Sequence, residues 1–143
     1  MRAVVDASAF VDVLTERLPR ELARGLEVAY EQGLLAPPLL WSEVTSALHR
    51  LAAEGRMEAT SARRHLELLE GAPVTRREPS RLRARAWEIA DRMGWVRTYD
   101  AEYCALAEIE DIPLLTGDDR LVRGARGRLP YVVRIADEAR RLA

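Results

Sequence analysis

Lysine is absent from this chain. All 22 basic residues are arginine, set against 23 acidic ones for a formal net charge of −1. Without lysine there is no P-loop, whose lysine reaches the nucleotide phosphates, and no Schiff-base chemistry, which needs a lysine amine. A GC-rich genome is the ordinary cause of such a bias, yet the planar guanidinium fork still suits phosphate recognition. Cysteine is nearly absent too: Cys104 alone excludes an internal disulfide framework, and with no evident base beside it reads as a packed thiol. His49 and His65 stand apart, with no partner at zinc-ligand spacing. Trp41, Trp87 and Trp95 are few and scattered, which suits packing better than a base-stacking platform. Gly117 and Gly124 do not make a phosphate-cradling loop. No apolar run approaches the roughly 18 residues of a membrane span, and the start reaches Asp6 too early for a secretory leader. The expectation is one soluble, cytoplasmic domain over residues 1–143, long enough to bury about two-thirds of its unfolded surface.

What is present alternates between short apolar runs and helical patterns. Ala3-Val4-Val5 reads as a buried strand that stops at Asp6, with Ser8 placed to cap a helix. Apolar residues at Leu22, Leu26, Ala29 and Tyr30 predict a helix over Arg20–Gln32, stopped by Gly33. Leu34-Leu35-Ala36 predicts a second strand before the Pro37-Pro38 breaker, and Leu40 to Leu51 an amphipathic helix. Further helices are expected up to Gly71, from Pro79 to Gly94, from near Asp100 to Glu110, and over 119–124. Ile112–Thr116 and Tyr131–Val133 complete the strands, with a weaker extended piece at Val74-Thr75. Short apolar strands separated by helices predict a three-layer α/β domain with a mostly parallel sheet.

Four acids fall at informative places. Asp6 ends the first strand, where open α/β sheets put their ligand sites, though a turn aspartate before a helix looks the same. Glu43 flanks the apolar stripe of its helix, so a partner is required, either a metal ion or an arginine. Asp100 and Asp118 both precede helical segments and read as N-caps, a role that leaves one carboxylate oxygen free. Asp119 falls in the first turn of its helix, where a solvated acid is unremarkable.

Taken together, these positions resemble the PIN-domain ribonucleases of the VapC toxin group. The matching pieces are Val4-Val5-Asp6-Ala7-Ser8, Ser42-Glu43-Val44, Tyr99-Asp100-Ala101-Glu102-Tyr103-Cys104-Ala105-Leu106-Ala107 and Leu115-Thr116-Gly117-Asp118-Asp119-Arg120-Leu121. Their order spans essentially the whole chain. The register places the family's last acid two residues after Thr116, which selects Asp118 over the adjacent Asp119. The resemblance implies a three-layer α/β/α PIN-like fold with a mostly parallel sheet of about four to five strands. It also implies an endoribonuclease that leaves 5′-phosphate and 3′-hydroxyl ends, a small cognate antitoxin and a homodimer. Asp6, Glu43, Asp100 and Asp118 are the expected catalytic residues. Asp6, Asp100 and Asp118 would ligate Mg²⁺ or Mn²⁺, directly or through water, and Glu43 would ligate or orient the attacking water. Hard oxygen ligands suit those ions, and a bound cation relieves the mutual repulsion of gathered carboxylates. Thr116, Ser8 and Asp119 are secondary candidates.

Charge is unevenly distributed. Residues 98–119 hold seven acids and no arginine, whereas 76–97 and 120–143 hold seven arginines each against three and two acids. That pattern suits metals in a cleft with phosphates on its rim. Arg120, Arg123, Arg126 and Arg128 follow the Asp118 strand end and are the candidates for RNA contact, with Arg120 and Arg123 first; Arg81, Arg83 and Arg85 read equally as a solvated helix face. Other readings are a catalytically silent PIN-like module that binds RNA or protein, and a DNA-directed flap-type nuclease, for which the chain leaves little room. A receiver domain needs a late lysine, and an aspartyl phosphatase needs Asp-x-Asp where Asp6 is followed by Ala7-Ser8.

Overall fold

The computed structural model describes all 143 residues. Five three-residue strands form one sheet: β1 (Ala3–Val5), β2 (Leu34–Ala36), β3 (Val74–Arg76), β4 (Leu114–Thr116) and β5 (Val132–Arg134). Their order is β3-β2-β1-β4-β5, and every pair is parallel, where the sequence led us to expect only most of them to be. Eight helices connect and cover them: α1 (Ala7–Leu14), α2 (Arg20–Ala29), α3 (Leu39–Ala53), α4 (Ala59–Glu70), α5 (Leu82–Met93), α6 (Tyr99–Glu110), α7 (Asp119–Ala125) and α8 (Ile135–Arg141). None is long and apolar enough to cross a membrane.

The period-two geometry of the strands divides the core into two. Val4 and Leu114 face a large cluster built with Leu40, Val44, Ile89 and Leu106 from α3, α5 and α6. Ala3, Val5 and Leu115 face the other way, onto Leu26 of α2 and Ile135 and Ala139 of α8. The central strands are therefore apolar on both faces, as an all-parallel sheet requires. Leu106 is fully buried, and truncating such a side chain to alanine costs about 2–5 kcal/mol.

Several expected boundaries move. α2 ends at Ala29, and Tyr30 to Gly33 form a turn with Gln32 at φ 59°. Pro79 lies before α5 rather than in its first turn, and its carbonyl accepts from the Leu82 amide at 3.0 Å. Asp6, not Ser8, caps α1, accepting from the Ala9 amide. The fourth strand begins at Leu114 rather than Ile112, and β3 extends one residue to Arg76. α8 was not expected at all; its seven residues are mostly charged and carry little apolar periodicity.

The topology fixes where a ligand can sit. β1 leads outward to β2 and β3 on one side, while β4 and β5 lie on the other, so strand order reverses between β1 and β4. In open α/β sheets the crevice beyond the carboxyl ends of strands at such a reversal is the binding site. Asp6 directly follows β1, and Gly117-Asp118 directly follow β4.

Candidate active site

Asp6, Glu43, Asp100 and Asp118 line one open cleft of about 470 Å³ at that reversal point. Asp6 is the anchor and is almost wholly buried. Its Oδ1 accepts from the Ala9 amide at 2.9 Å and from Ser8 Oγ at 2.7 Å, and its Oδ2 accepts from Thr116 Oγ1. The two hydroxyls are themselves oriented from the β4–α7 turn. Ser8 Oγ accepts from the Gly117 amide at 2.9 Å, and Thr116 Oγ1 accepts from the Asp118 amide at 3.0 Å. With each oxygen taking a backbone hydrogen bond, each O–H is directed to Asp6, and the β1 and β4 ends are tied together. Gly117 leaves room for this approach: a Cβ there would fall 2.3 Å from Asp12 Oδ2, displacing that side chain, and 3.2 Å from the Ser8 carbonyl oxygen.

Burial pushes the Asp6 carboxyl up to about 6, outweighing the hydrogen bonds from Thr116, Ala9 and Ser8, and nearby Asp100 adds to the rise. Glu43 and Asp100 are also raised by desolvation: at Glu43 it outweighs the Tyr103 hydrogen bond and Asp100 adds to it, and at Asp100 Asp118 adds to it while Arg120 opposes. The arginine partner considered for Glu43 is absent. Instead Tyr103 donates its phenol hydrogen to Glu43 Oε1 at 2.6 Å. Asp118 caps α7 by accepting from the Arg120 amide at 2.8 Å, as expected. Asp100 does not cap α6: Thr98 occupies that position, and Asp100 lies in the first helical turn with its carboxylate free. Asp119 turns away to pair with Arg134, so of the two adjacent acids only Asp118 lines the cleft.

The cleft lining offers oxygen donors from Asp6, Glu43, Asp100 and Asp118, from Asp12, which is paired with Arg17, and from the Ser8 hydroxyl, while Thr116 is fully buried behind Asp6. No three acidic groups are gathered closely enough to enclose a metal as they stand.

Residues 3–127 match the PIN domain family. The chain belongs to it, in its VapC branch. It is 39% identical over 122 residues to Ribonuclease VapC3 of Mycobacterium tuberculosis, covering 85% of this chain and 86% of that one. It is 37% identical over 131 residues to VapC ribonuclease Mb0985 of Mycobacterium bovis, covering 91% and 96%. Among solved structures, PAE2754 from Pyrobaculum aerophilum superposes with a TM-score of 0.75 at 25% identity, over 99% of this chain and 95% of that one. A toxin–antitoxin complex from Klebsiella pneumoniae shares the fold, with a TM-score of 0.63 at 18% identity over 93% and 97% of the two chains.

Within this PIN domain the arginines divide. Arg120 is highly exposed on the cleft rim, 3.8 Å from Asp118. Arg123 is exposed in the last turn of α7, away from the cleft lining. Arg128 is a correction: it donates to the Arg92 carbonyl and lines a groove with Asp111 and Pro113, on the amino side of β4 and so opposite the acids. Four residues of the cleft were not foreseen: Asp12, Arg17, Arg50 and Tyr103. Helical spacing contained a signal for two of them. Asp12 lies four residues after Ser8 on α1, and Tyr103 three after Asp100 on α6, so each shares a face with a site residue.

Proposed function

We propose that this chain is a metal-dependent endoribonuclease, the toxin of a toxin–antitoxin pair, acting in the cytoplasm as a homodimer. The observation that carries the reading is a cleft in which four of five carboxylates lack a close arginine partner, the fifth, Asp12, being paired with Arg17. Asp6, Glu43 and Asp100 have no arginine bound to them, and Asp118 has only the 3.8 Å approach of Arg120. Twenty-two arginines were available to neutralise these acids. A hard, all-oxygen donor set with uncompensated charge suits Mg²⁺ or Mn²⁺. Asp6, Asp100 and Asp118 would hold the ion, with Glu43 as ligand or as orienter of the attacking water. When bound, such an ion supplies a nucleophile near neutral pH and charge stabilisation at the scissile phosphate.

The chain's own residues do the remainder. Ser8 and Thr116 hold the Asp6 carboxylate in one orientation, and Glu43 offers an acceptor for a water proton. Arg17, Arg50 and Arg120 on the cleft rim give an RNA backbone its countercharge. RNA as substrate and an antitoxin as partner are supported by the ribonuclease names of the relatives and by the toxin–antitoxin title of one structural neighbour. The exposed Trp87 and Val96, on α5 and just beyond it, are consistent with a second copy covering that region.

The test is cleavage of total cellular RNA by purified protein with Mg²⁺, with Mn²⁺ and with EDTA, mapping the cut ends. Divalent-dependent cuts bearing 5′-phosphates are expected, lost in Asp6→Asn and Asp100→Asn. Undiminished cleavage by both variants would overturn the assignment. RNA binding without cleavage by the wild type would favour a silent binding module.

A further inference from the structure

Three of the four tyrosines donate a phenol hydrogen bond to a glutamate, and the three pairs are completed differently. Tyr30 donates to Glu138 at 2.7 Å, and Arg141 reaches both oxygens of that carboxylate. Tyr131 donates to Glu108 at 2.7 Å, and Arg85 takes the other oxygen. Tyr103 donates to Glu43 Oε1 at 2.6 Å, and Oε2 has no partner in the chain. Where a guanidinium closes the first two carboxylates, the third keeps one oxygen anchored and the other unclaimed. It is also the only one of the three that lines the cleft of Asp6, Asp100 and Asp118.

The anchor is rigid. Tyr103 is 1% exposed and belongs to the main core cluster, so its hydroxyl is held in place by burial of the ring. A half-exposed glutamate left alone samples several rotamers across three side-chain torsions. The 2.6 Å bond removes that freedom at the one glutamate whose direction matters. It also joins α3, which carries Glu43, to α6, which carries Asp100 one turn before Tyr103.

We propose that Tyr103 is a positioning residue: its buried phenol fixes the Glu43 carboxylate through Oε1 and presents Oε2 to the reaction. The role rests on the nuclease reading of the cleft and adds to it the element that orients Glu43. Removing the hydroxyl leaves the ring and its packing in place and takes away the Oε1 anchor of Glu43, together with the hydrogen bond that opposes its desolvation.

The experiment is a double-mutant cycle of Tyr103→Phe and Glu43→Gln on the full chain, using a defined RNA oligonucleotide and Mg²⁺. Tyr103→Phe is expected to lower kcat about 10- to 100-fold, the usual effect of losing such a supporting contact. KM, the RNA affinity measured in EDTA, and the thermal midpoint stay near wild type. In the Glu43→Gln background the same change adds less than about twofold, because the group it positions is gone. Wild-type kcat in Tyr103→Phe overturns the proposal, as does a full repeat of its loss in the Glu43→Gln background. So does a parallel fall in metal-free RNA affinity, which would make Tyr103 a structural residue. If Tyr103→Phe does not fold, Glu43→Asp replaces it: the charge is kept and the shorter arm withdraws from the phenol, so a comparable loss of kcat is expected and wild-type kcat overturns the role. Wild-type protein that leaves the RNA intact overturns the nuclease reading instead, so the two failures are separable.

Discussion

Two sets of acids in this molecule have opposite surroundings. Around the sheet's periphery, Glu138 is paired with Arg141 and Tyr30, Glu110 with Arg2 and Arg77, and Glu108 with Arg85 and Tyr131. All three carboxyls are held below the usual range: Arg141 dominates for Glu138, while at Glu110 and Glu108 the arginines overcome the opposing effect of burial. At the carboxyl ends of β1 and β4, Asp6, Glu43 and Asp100 are pushed up by desolvation, which outweighs the hydrogen bonds to Asp6 and Glu43 and the charge of Arg120 near Asp100; neighbouring acids add to each rise. The three peripheral glutamates each accept a hydrogen bond from an arginine, whereas Asp6, Glu43 and Asp100 do not. Acids raised together in one cleft mark it as a candidate functional site, and on the proposed reading a cation would complete the charge balance of Asp6, Asp100 and Asp118 there.

The largest effects should fall on one side of this divide. Asp6→Asn and Asp100→Asn are expected to cut RNA cleavage by about 10³-fold or more, the scale of removing preorganised charge from a reacting centre. Glu110→Gln, assayed alongside, should leave the rate unchanged. Equal losses in both sets would dissolve the distinction.

Stability should respond to pH with opposite signs. Asp6 is raised from 3.8 to about 6 in the fold, so its contribution is fully present below about pH 4 and is lost as pH rises through 6. That loss amounts to about 3 kcal/mol. Glu138 and Glu110 are depressed, so their contribution is present at neutral pH and lost on acidification through the glutamate range. Denaturant unfolding of metal-free protein between pH 4 and 7.5 should show the Asp6 slope in the wild type and a flatter profile in Asp6→Asn. An unchanged slope would contradict the burial argument.

Smaller effects sharpen the contrast. Glu138→Ala removes the carboxylate that Tyr30 and Arg141 share and should destabilise the protein by about 2 kcal/mol in the same unfolding assay, with cleavage intact. Arg120→Ala should weaken RNA binding and lower the salt dependence of affinity by about one phosphate contact, whereas Arg128→Ala should change neither. Anisotropy titrations across salt concentrations separate the two.

Much of this was legible in the residues. The strands were visible as short apolar runs, and the four acids at strand ends and on a helix flank stood at recognisable spacing. Register selects Asp118 over Asp119, and in the fold Asp118 lines the cleft while Asp119 pairs with Arg134. What escaped depends on tertiary placement. Tyr103 has the spacing of an ordinary core residue, and nothing linear shows that its hydroxyl meets a glutamate 60 positions earlier. Arg128 was grouped with Arg120 because both follow the same strand, yet α7 carries the chain to the opposite end of the sheet. Asp100 has the spacing of a cap, but cap and first turn are nearly indistinguishable in sequence, and Thr98 takes the cap. α8 is short and charged, and it is held by Glu138 and two buried residues, Ile135 and Ala139, rather than by an apolar stripe.

On the proposed reading the cleft acids take up a cation and the peripheral acids do not. Calorimetric titration of Mn²⁺ into metal-free protein at pH 7.5 tests it directly. Saturable binding is predicted for the wild type and for Glu110→Gln, and is lost in Asp6→Asn and Asp100→Asn. Binding that survives both aspartate substitutions, or no binding to the wild type, would contradict the account.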